Sequence, residues 1–251
     1  MRPILFYCMN KRLFLLLLLV AAFVPMMAQE VEVPAQLEEP AVERNWHWSV
    51  GVTGGLDRNY HIIDMSYMSD FRYTKFAEGS SYGLQLGFTP VNWLTLRVDG
   101  VMLQKNYIRS HVVSGTTTSL PDTTYNKYLN VPVVLMLNVG KTVRLHAFGG
   151  GYWGRWLESR RTGITYGMNG LESYSEEVDF NSPESQVRDN RTDIGFVWGG
   201  GLSGVIKKRI EVGVEARWYY GVKDIQNDYM AHLNPRYNTT FVVQGGLSFW
   251  F

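Results

Sequence analysis

The sequence has few charged residues, no marked excess of either sign and a single cysteine. Charged side chains make up 19% of its 251 residues, and the formal net charge is +1. Without a basic excess the chain has no electrostatic footprint for nucleic acid, so we expect no nucleic-acid partner. The mean hydropathy of −0.14 likewise excludes a bundle of membrane-spanning helices.

Glycine and aromatic residues are abundant instead. The chain has 25 Gly, 15 Tyr, 12 Phe and 8 Trp. This combination is unusual for a soluble helical enzyme. It favours an all-β architecture, either a sandwich or a membrane β-barrel.

The longest apolar run lies near the N-terminus and has the features of an export signal. Residues 13–27, LFLLLLLVAAFVPMM, follow Lys11 and Arg12 and precede a small residue. A basic start, a short apolar stretch and a small residue at the cleavage point are typical of a secretory signal peptide. The run is short and interrupted by Pro25, which disfavours a transmembrane helix. We therefore expect residues 1–28 to be a signal peptide.

Translation is expected to start at Met9, because Met-Asn-Lys-Arg is the more natural beginning of such a signal. Cys8 is then absent from the mature chain, so neither disulfides nor thiolate chemistry apply. Removing residues 1–28 takes away three basic residues and no acidic one, so the net charge changes from +1 to −2. Residues 29–45 follow, with five Glu and two Pro, and are expected to form an acidic periplasmic linker.

From Trp46 onward, apolar residues alternate with polar or small ones, which is the pattern of β-strands with two different faces. The clearest runs are 48–56, 82–88, 94–98, 129–139, 210–218 and 241–251, and the glycine-rich segments 143–157 and 192–205 bring the number of strands to eight. The triplets at 149–151 and 199–201 are expected to mark bulges or sharp curvature.

Short and long connections alternate between these strands. The short ones are 89–93, 138–142 and 206–209, and the long polar ones are 57–80, 105–126, 158–191 and 222–237. An outer-membrane barrel has short periplasmic turns and long external loops, whereas a sandwich has no reason to place every long loop at one end. We therefore predict that residues 46–251 form an eight-stranded antiparallel up-and-down transmembrane β-barrel, with a periplasmic N-terminus, in the outer membrane of a Gram-negative cell.

Aromatic and charged residues fit the same interpretation. Two aromatic girdles are expected, one of Trp46, Trp48, Trp93, Phe249 and Phe251, and the other of Tyr107, Tyr128, Trp153, Trp156, Trp218 and Tyr220. Charged residues on the opposite strand faces are expected to form an ion-pair network in the lumen, made of Arg97, Asp99, Glu211, Glu215 and Arg217, with Arg144 and His146 as further candidates. Eight strands enclose a space that side chains fill, so a wide pore is excluded.

Enzymatic sites are weakly represented. His47 and Ser49 have a spacing that small-barrel hydrolases use, but lie at the periplasmic end. His61 with Asp64, and Asp224 or Asp228 with His232, lie in polar loops where such residues are common. We therefore expect no enzyme activity, no cofactor and no metal site. The charged loop 158–191 is a candidate surface for a protein or for lipopolysaccharide, with Arg160 and Arg161 as phosphate contacts.

Four segments together carry a family resemblance. They are KYLNVPVVLMLNV at 127–139, DIGFVWGGGL at 193–202, IEVGVEARWYYGVKDI at 210–225 and FVVQGGLSFWF at 241–251. In order and spacing, the chain from Trp46 onward resembles the PorT family of small outer-membrane β-barrel proteins, typical of Bacteroidetes. The last strand is also similar to the β-signal recognised by the barrel assembly machinery, through Phe241, Val243, Leu247, Phe249 and Phe251.

The resemblance implies a role in type IX protein secretion but no catalytic residues. Because an eight-stranded barrel is too narrow to pass a folded protein, the chain is expected to be a non-enzymatic accessory that docks secretion-system proteins, with outer-membrane lipid and lipopolysaccharide around it. Two alternatives stay open. One is a structural or small-solute barrel similar to the OmpA transmembrane domain, and the other is a lipid-modifying barrel enzyme.

Overall fold

The computed structural model describes residues 46–63, 71–112, 119–167, 170–206, 209–225, 227 and 236–251. These residues form ten strands and one short helix. The elements are β1 His47–Ile63, β2 Phe71–Val91, β3 Leu94–Gln104, β4 Tyr107–Val112, β5 Ser119–Val139, β6 Val143–Gly167, β7 Gly170–Glu177, α1 Pro183–Arg188, β8 Thr192–Ile206, β9 Ile210–Gly221 and β10 Arg236–Trp250. In the described part of the chain, no helix is both long and apolar enough to cross a membrane.

Eight of the strands close into a ring through antiparallel pairing. The ring runs β1–β2–β3–β5–β6–β8–β9–β10 and returns to β1. β4 continues β3 and pairs with the same two neighbours, β2 and β5. β7 pairs with residues 160–167, the C-terminal part of β6. The predicted eight-stranded antiparallel barrel is therefore confirmed.

The ring closes where the last strand meets the first. Val50 lies opposite Phe249 in this pair. At the end of the pair, the Trp48 amide donates to the Phe251 carbonyl at 3.1 Å and the Phe251 amide donates to the Trp48 carbonyl at 3.0 Å. The C-terminal residue therefore takes part in barrel closure.

Alternation along the strands separates an apolar outside from a polar inside. Outward side chains include Leu84, Leu135 and Leu145, each more than half exposed. Inward positions hold small, polar or charged residues, as β2 shows with Ser81, Gln85 and Thr89, all buried. Because successive strand residues point to opposite faces, one sequence period produces both surfaces.

The strands are taller than the sequence predicts. β1 continues to Ile63, β2 begins at Phe71, β5 begins at Ser119 and β6 reaches Gly167. Long parts of the predicted loops 57–80, 105–126 and 158–191 are therefore strand, which corrects those boundaries. The predicted short turns all lie at one end of the barrel, which we call the turn end. We call the opposite end, where the strands extend beyond the sequence prediction, the tall end. The sequence predicts shorter strands because polar residues occur on both strand faces near the tall end, so the regular alternation of apolar and polar residues is lost there.

The glycine triplets are not bulges, so the first of the two alternatives that the sequence left open is wrong. Pairing continues through residues 149–151 and 199–201 without a register shift. The shifts lie elsewhere, for example between Lys127 and Tyr128. A Cβ on Gly150 would lie 2.0 Å from the Val133 carbonyl oxygen, whereas one on Gly149 would come no nearer than 4.0 Å to any other atom. The inward glycine therefore permits close strand packing.

Candidate functional site

Four charged side chains meet inside the barrel and form a closed network between β3 and β9. Arg97 Nη1 donates to Glu215 Oε1 at 2.6 Å, and Arg97 Nη2 donates to Oε2 at 3.0 Å. Arg217 donates to Glu215 Oε2 from Nη2 at 2.8 Å, and to Asp99 Oδ2 from Nη1 at 2.6 Å. All four residues are buried. Two cations and two anions therefore balance each other in this part of the lumen.

Neighbouring side chains complete this layer. The Phe148 ring lies 5.1 Å from the Arg97 guanidinium carbon and 5.3 Å from that of Arg217. His146 Nε2 lies 3.2 Å from Glu215 Oε1. The charges thus span the interior from β3 to β9, with an aromatic ring of β6 against both arginines.

Glu211 lies apart from the other four predicted network residues. Its carboxylate accepts from the Ser203 hydroxyl, and from Trp250 Nε1 at 3.1 Å. The Trp250 ring stacks on His47 with centroids 4.4 Å apart, and the Arg144 guanidinium carbon lies 4.3 Å from the centroid of the Trp250 ring. The sequence pattern missed this tryptophan. It fills the turn end of the lumen, next to a cavity of about 60 Å³ lined by Arg144, His146 and Glu211 among others.

A second charged cluster lies nearer the tall end and was not predicted. Lys105 Nζ donates to Asp193 Oδ2 at 2.6 Å, and both side chains are fully buried. Tyr152 Oη donates to Asp193 Oδ1 at 3.1 Å, and Asn238 Nδ2 to Oδ2 at 2.8 Å. The ammonium lies 4.7 Å from the Tyr128 ring centroid. Lys105 continues the inward phase of Arg97 and Asp99, which is a sequence signal for its position, although it is the first residue of the predicted loop 105–126.

Residues 178–191 cover this cluster. Phe180 packs edge-on against Trp156 at 4.9 Å, and Trp156 stacks on Tyr128 at 5.7 Å. Arg191 lies 4.6 Å from the Phe180 centroid and donates to the Trp156 carbonyl at 3.2 Å. We call residues 178–191 the cap. The rings of Tyr128, Trp156 and Phe180 therefore form a continuous packed cluster between the cap and the Lys105–Asp193 pair.

The predicted girdle near the tall end needs correction. Tyr107, Tyr128 and Trp156 are buried inside the barrel instead of lying on its outer surface. Trp153 and Tyr220 do lie outside and are exposed. Tyr128 and Trp156 keep the inward phase of Val134 and Tyr152, so the sequence carried the information that placed them inside.

An open groove lies in the wall near the tall end. Its volume is about 810 Å³, and its lining includes Tyr125, Lys127, Glu158, Arg160 and Glu177. Lys127 Nζ and Glu158 Oε2 pair at 3.4 Å, while Arg160 Nε donates to the Ser175 hydroxyl at 3.0 Å. Arg161, also proposed as a phosphate contact, instead has its Nε 3.5 Å from Asp122 Oδ2.

The candidate hydrolase residues do not form a described site. The His47 ring packs on Trp250, as given above, and the candidates Asp64, Asp228 and His232 lie outside the described residues. Within the described ranges, no three His, Cys, Asp or Glu side chains are grouped to hold a metal ion.

The proposed β-signal residues lie on the outward face of β10 and just beyond it. Leu247, Phe249 and Phe251 are exposed, whereas Phe241 is half-buried and Val243 is buried. Phe241 packs against Trp218 with centroids 5.6 Å apart. An apolar edge that must face lipid and close a barrel has the same features, so recognition by the assembly machinery stays a prediction.

Comparisons with known proteins give structural likeness only. No protein-family model and no curated protein matches the chain. Neisserial surface protein A is similar at 13% identity and a TM-score of 0.45, covering 81% of this chain and 97% of its own. OprG of Pseudomonas aeruginosa has 10% identity, a TM-score of 0.46 and coverages of 81% and 95%. The Escherichia coli outer membrane protease OmpT has 10% identity, a TM-score of 0.37 and coverages of 86% and 99%. These likenesses carry no inference about activity, and PorT-family membership stays a prediction.

Proposed function

We propose that the protein is an integral outer-membrane barrel that serves as a non-enzymatic accessory of protein secretion or surface assembly. The outer surface supports a membrane location. Val139, Leu84 and Phe196 are 71%, 65% and 59% exposed, and apolar side chains of this kind recur around the ring. A water-soluble protein rarely exposes so large an apolar surface, while a transmembrane barrel presents an apolar band of this kind to lipid.

The change of residue type along the strands supports the orientation. Just beyond the apolar band, toward the tall end, outward positions become charged: Arg58 pairs with Glu78 at 2.8 Å, and Lys127 with Glu158. Short turns face the periplasm in barrels of this type. We therefore place the turn end and the N-terminus in the periplasm and the tall end outside the cell, where lipopolysaccharide surrounds the wall.

The single observation that carries the accessory role is the filled lumen. The four-residue network, the Lys105–Asp193 pair and the cap occupy successive levels of the interior. A barrel filled in this way cannot conduct another protein, so its contribution to export is made from its surface. The wall beyond the apolar band offers that surface, because β6 and β7 rise beyond the end of β9.

Deletion of the gene tests the secretion role. In the deletion strain, export of proteins with C-terminal secretion signals is expected to fail and to recover when the wild-type gene is restored. Normal export would overturn the accessory role and leave a structural barrel, similar to the OmpA transmembrane domain, as the function.

Two biochemical measurements test the location and the filled lumen separately. The protein is expected in the outer-membrane fraction, with faster gel migration before heating than after. In planar bilayers the purified protein is expected to give no steady conductance. A porin-like current would contradict the filled lumen without bearing on the export result.

A further inference from the structure

The tall wall ends in a strand with one unpaired edge. β7 pairs with β6 from Gly167–Gly170 to Arg160–Glu177. On its other side the neighbouring position in the ring belongs to β9, which ends at Gly221 and pairs with β8 only as far as Gly195. Among the residues that the structure describes, no strand therefore pairs with the second edge of β7.

The register identifies which backbone groups face this edge. The Val178 amide donates to the Ser159 carbonyl at 2.9 Å, so residue 178 directs its backbone groups toward β6. Alternate residues of an antiparallel strand direct their N–H and C=O groups to opposite sides. The backbone N–H and C=O groups on the unpaired edge of β7 therefore belong to Leu171, Ser173, Ser175 and Glu177. These four residues are exposed.

The described part of this edge lacks lysine, proline and bulges, and its charged residues are glutamates, which a basic strand neutralises. Proteins blunt exposed edges with lysine, proline, bulges or a covering segment. β7, with the sequence GLESYSEE, contains neither lysine nor proline, and its pairing with β6 is continuous. An eight-residue edge of this kind can accept an extended chain through main-chain hydrogen bonds.

The side chains of β7 define the charge of a suitable partner. Glu172, Glu176 and Glu177 are exposed, and none of them forms an ion pair with any other described residue. In the register with β6, Arg160 lies opposite Glu177 and Arg161 lies opposite Glu176. Arg160 bonds the Ser175 hydroxyl instead, and Arg161 has its Nε 3.5 Å from Asp122 Oδ2. An added strand with lysine or arginine opposite the three glutamates gains favourable cross-strand pairs.

A second copy of this chain fits the edge poorly. β7 has three glutamates and no lysine or arginine, so pairing of two copies brings six carboxylates onto adjacent strands in any register. In the register centred on Tyr174, Glu172 of each copy lies directly opposite Glu176 of the other. Like charges directly opposite each other destabilise a strand pair. The charge pattern therefore disfavours self-association through this edge and favours a basic partner.

We propose that β7 binds an extended, basic segment of a partner protein by β-strand addition. In antiparallel register, the residues opposite Glu177, Glu176 and Glu172 are the first, second and sixth of six. The preferred segment thus has Lys or Arg at these three places and strand-forming residues between them. This assignment deepens the docking role proposed above and rests on it for its biological meaning, but the edge itself is testable on the purified protein.

The test measures peptide binding to the full chain folded in detergent micelles. A fluorescein-labelled peptide, TKKTVTKL, carries the basic residues in the proposed spacing, and the peptide KTVKTLKT has the same composition with none of the proposed separations between lysines. A third peptide keeps the first sequence but has its two valine-flanking threonines N-methylated, which removes main-chain donors and leaves every charge. Fluorescence anisotropy is expected to show at least ~10-fold weaker binding of the second and third peptides. Equal binding of all three peptides would indicate nonspecific charge attraction and overturn the proposal, as would no binding of the first peptide at millimolar concentration.

Variants of the protein identify the edge. Ser173→Pro removes an outward amide without removing a bond to β6, because proline is tolerated at an unpaired strand edge. It is expected to weaken binding of TKKTVTKL at least ~10-fold, and so is the triple change Glu172→Gln, Glu176→Gln and Glu177→Gln. The control Glu158→Gln changes an exposed glutamate of β6 and is expected to leave binding unchanged. Unchanged heat-modifiable migration shows that each variant is folded. Wild-type binding by Ser173→Pro would overturn strand addition, whereas normal export in the deletion strain would overturn only the secretion role.

Discussion

The Arg97 guanidinium and the Glu215 carboxylate face each other through two hydrogen bonds, of 2.6 and 3.0 Å, across the interior of the barrel. The two residues are 118 positions apart and lie on β3 and β9, which are not neighbours in the ring. Their pairing therefore depends on barrel closure and links opposite parts of the wall. Glu215 also binds Arg217, so one carboxylate serves two buried arginines.

Replacing Glu215 with glutamine is expected to destabilise the barrel strongly. Two buried guanidinium groups lose their shared counter-charge, and breaking a buried ion pair costs about 3 kcal/mol or more. Urea unfolding in lipid vesicles, followed by tryptophan fluorescence, measures this loss. Glu158→Gln is the control, because it removes an exposed ion pair with Lys127 and is expected to cost less than about 1 kcal/mol. Equal stability of the two variants would contradict the importance of the network.

Arg217→Glu tests the same network by charge reversal. The new carboxylate would lie beside Glu215 and Asp99, which Arg217 now neutralises. We expect the heat-modifiable folded form to disappear at a lower temperature than in the wild type, or not to form. Arg217→Lys keeps the charge but loses the planar fork and is expected to be intermediate. Wild-type thermal behaviour of Arg217→Glu would show that this side chain lies outside the lumen.

Two adjacent glycines on β6 are expected to respond in opposite ways to the same substitution. Gly150→Val places side-chain atoms against the Val133 carbonyl, where even a Cβ would be at 2.0 Å. Gly149→Val points outward, where a Cβ meets only the Val197 carbonyl oxygen at 4.0 Å, and valine also favours a strand. Only the first variant is expected to accumulate poorly in the outer membrane. Similar accumulation of both would mean that close strand packing at residue 150 is not required.

Phe180→Ala is expected to loosen the cap without unfolding the barrel. The ring packs against Trp156, and loss of a buried phenylalanine costs about 3 kcal/mol. Trypsin is therefore expected to cleave within residues 178–191 faster than in the wild type. Val187→Ala, in the exposed part of α1, serves as the control and should leave the cleavage rate unchanged. Equal rates for the two variants would show that Phe180 does not hold the cap.

Phe251→Ala tests the role of the terminal residue in assembly. Its side chain is exposed on the outer surface, while its backbone pairs with Trp48. We expect the variant to collect in the periplasm with chaperones, because the apolar end of the last strand is incomplete. Leu137→Ala removes an equally outward apolar side chain from β5 and should insert normally. Normal outer-membrane levels of Phe251→Ala would count against the β-signal.

Much of the barrel wall was predictable from the alternation of apolar and polar residues. The point at which this prediction fails has a physical cause. Within the apolar band, outward Leu135 and Leu137 contrast with inward Met136, so the strand and its phase follow from the sequence. Toward the tall end, Arg58 and Glu78 face outward while Asp57 faces inward, and alternation of hydrophobicity no longer marks a strand. The predicted loops began at such positions.

The interior was predictable in composition but only partly in arrangement. Arg97, Asp99, Glu215 and Arg217 share inward phases, which a sequence shows. Their pairing depends on which strands face each other across the ring, which a sequence does not show. The separate position of Glu211 follows from Trp250, whose side chain enters the lumen and donates a hydrogen bond to the Glu211 carboxylate. The cap was unpredictable because Phe180 follows a strand that carries no apolar alternation.

Because the wall is taller on one side, the molecule is asymmetric in the plane of the membrane. From Glu158 to Gly167, β6 adds roughly 30 Å of strand at about 3.3 Å per residue, on the side where β9 has already ended. A barrel with a wall of equal height presents the same height on every side, whereas this barrel is taller at β6 and β7. A protein bound along β7 would lie on one defined side of the barrel and beyond the lipid. It would therefore take a defined position in an assembly built around the barrel.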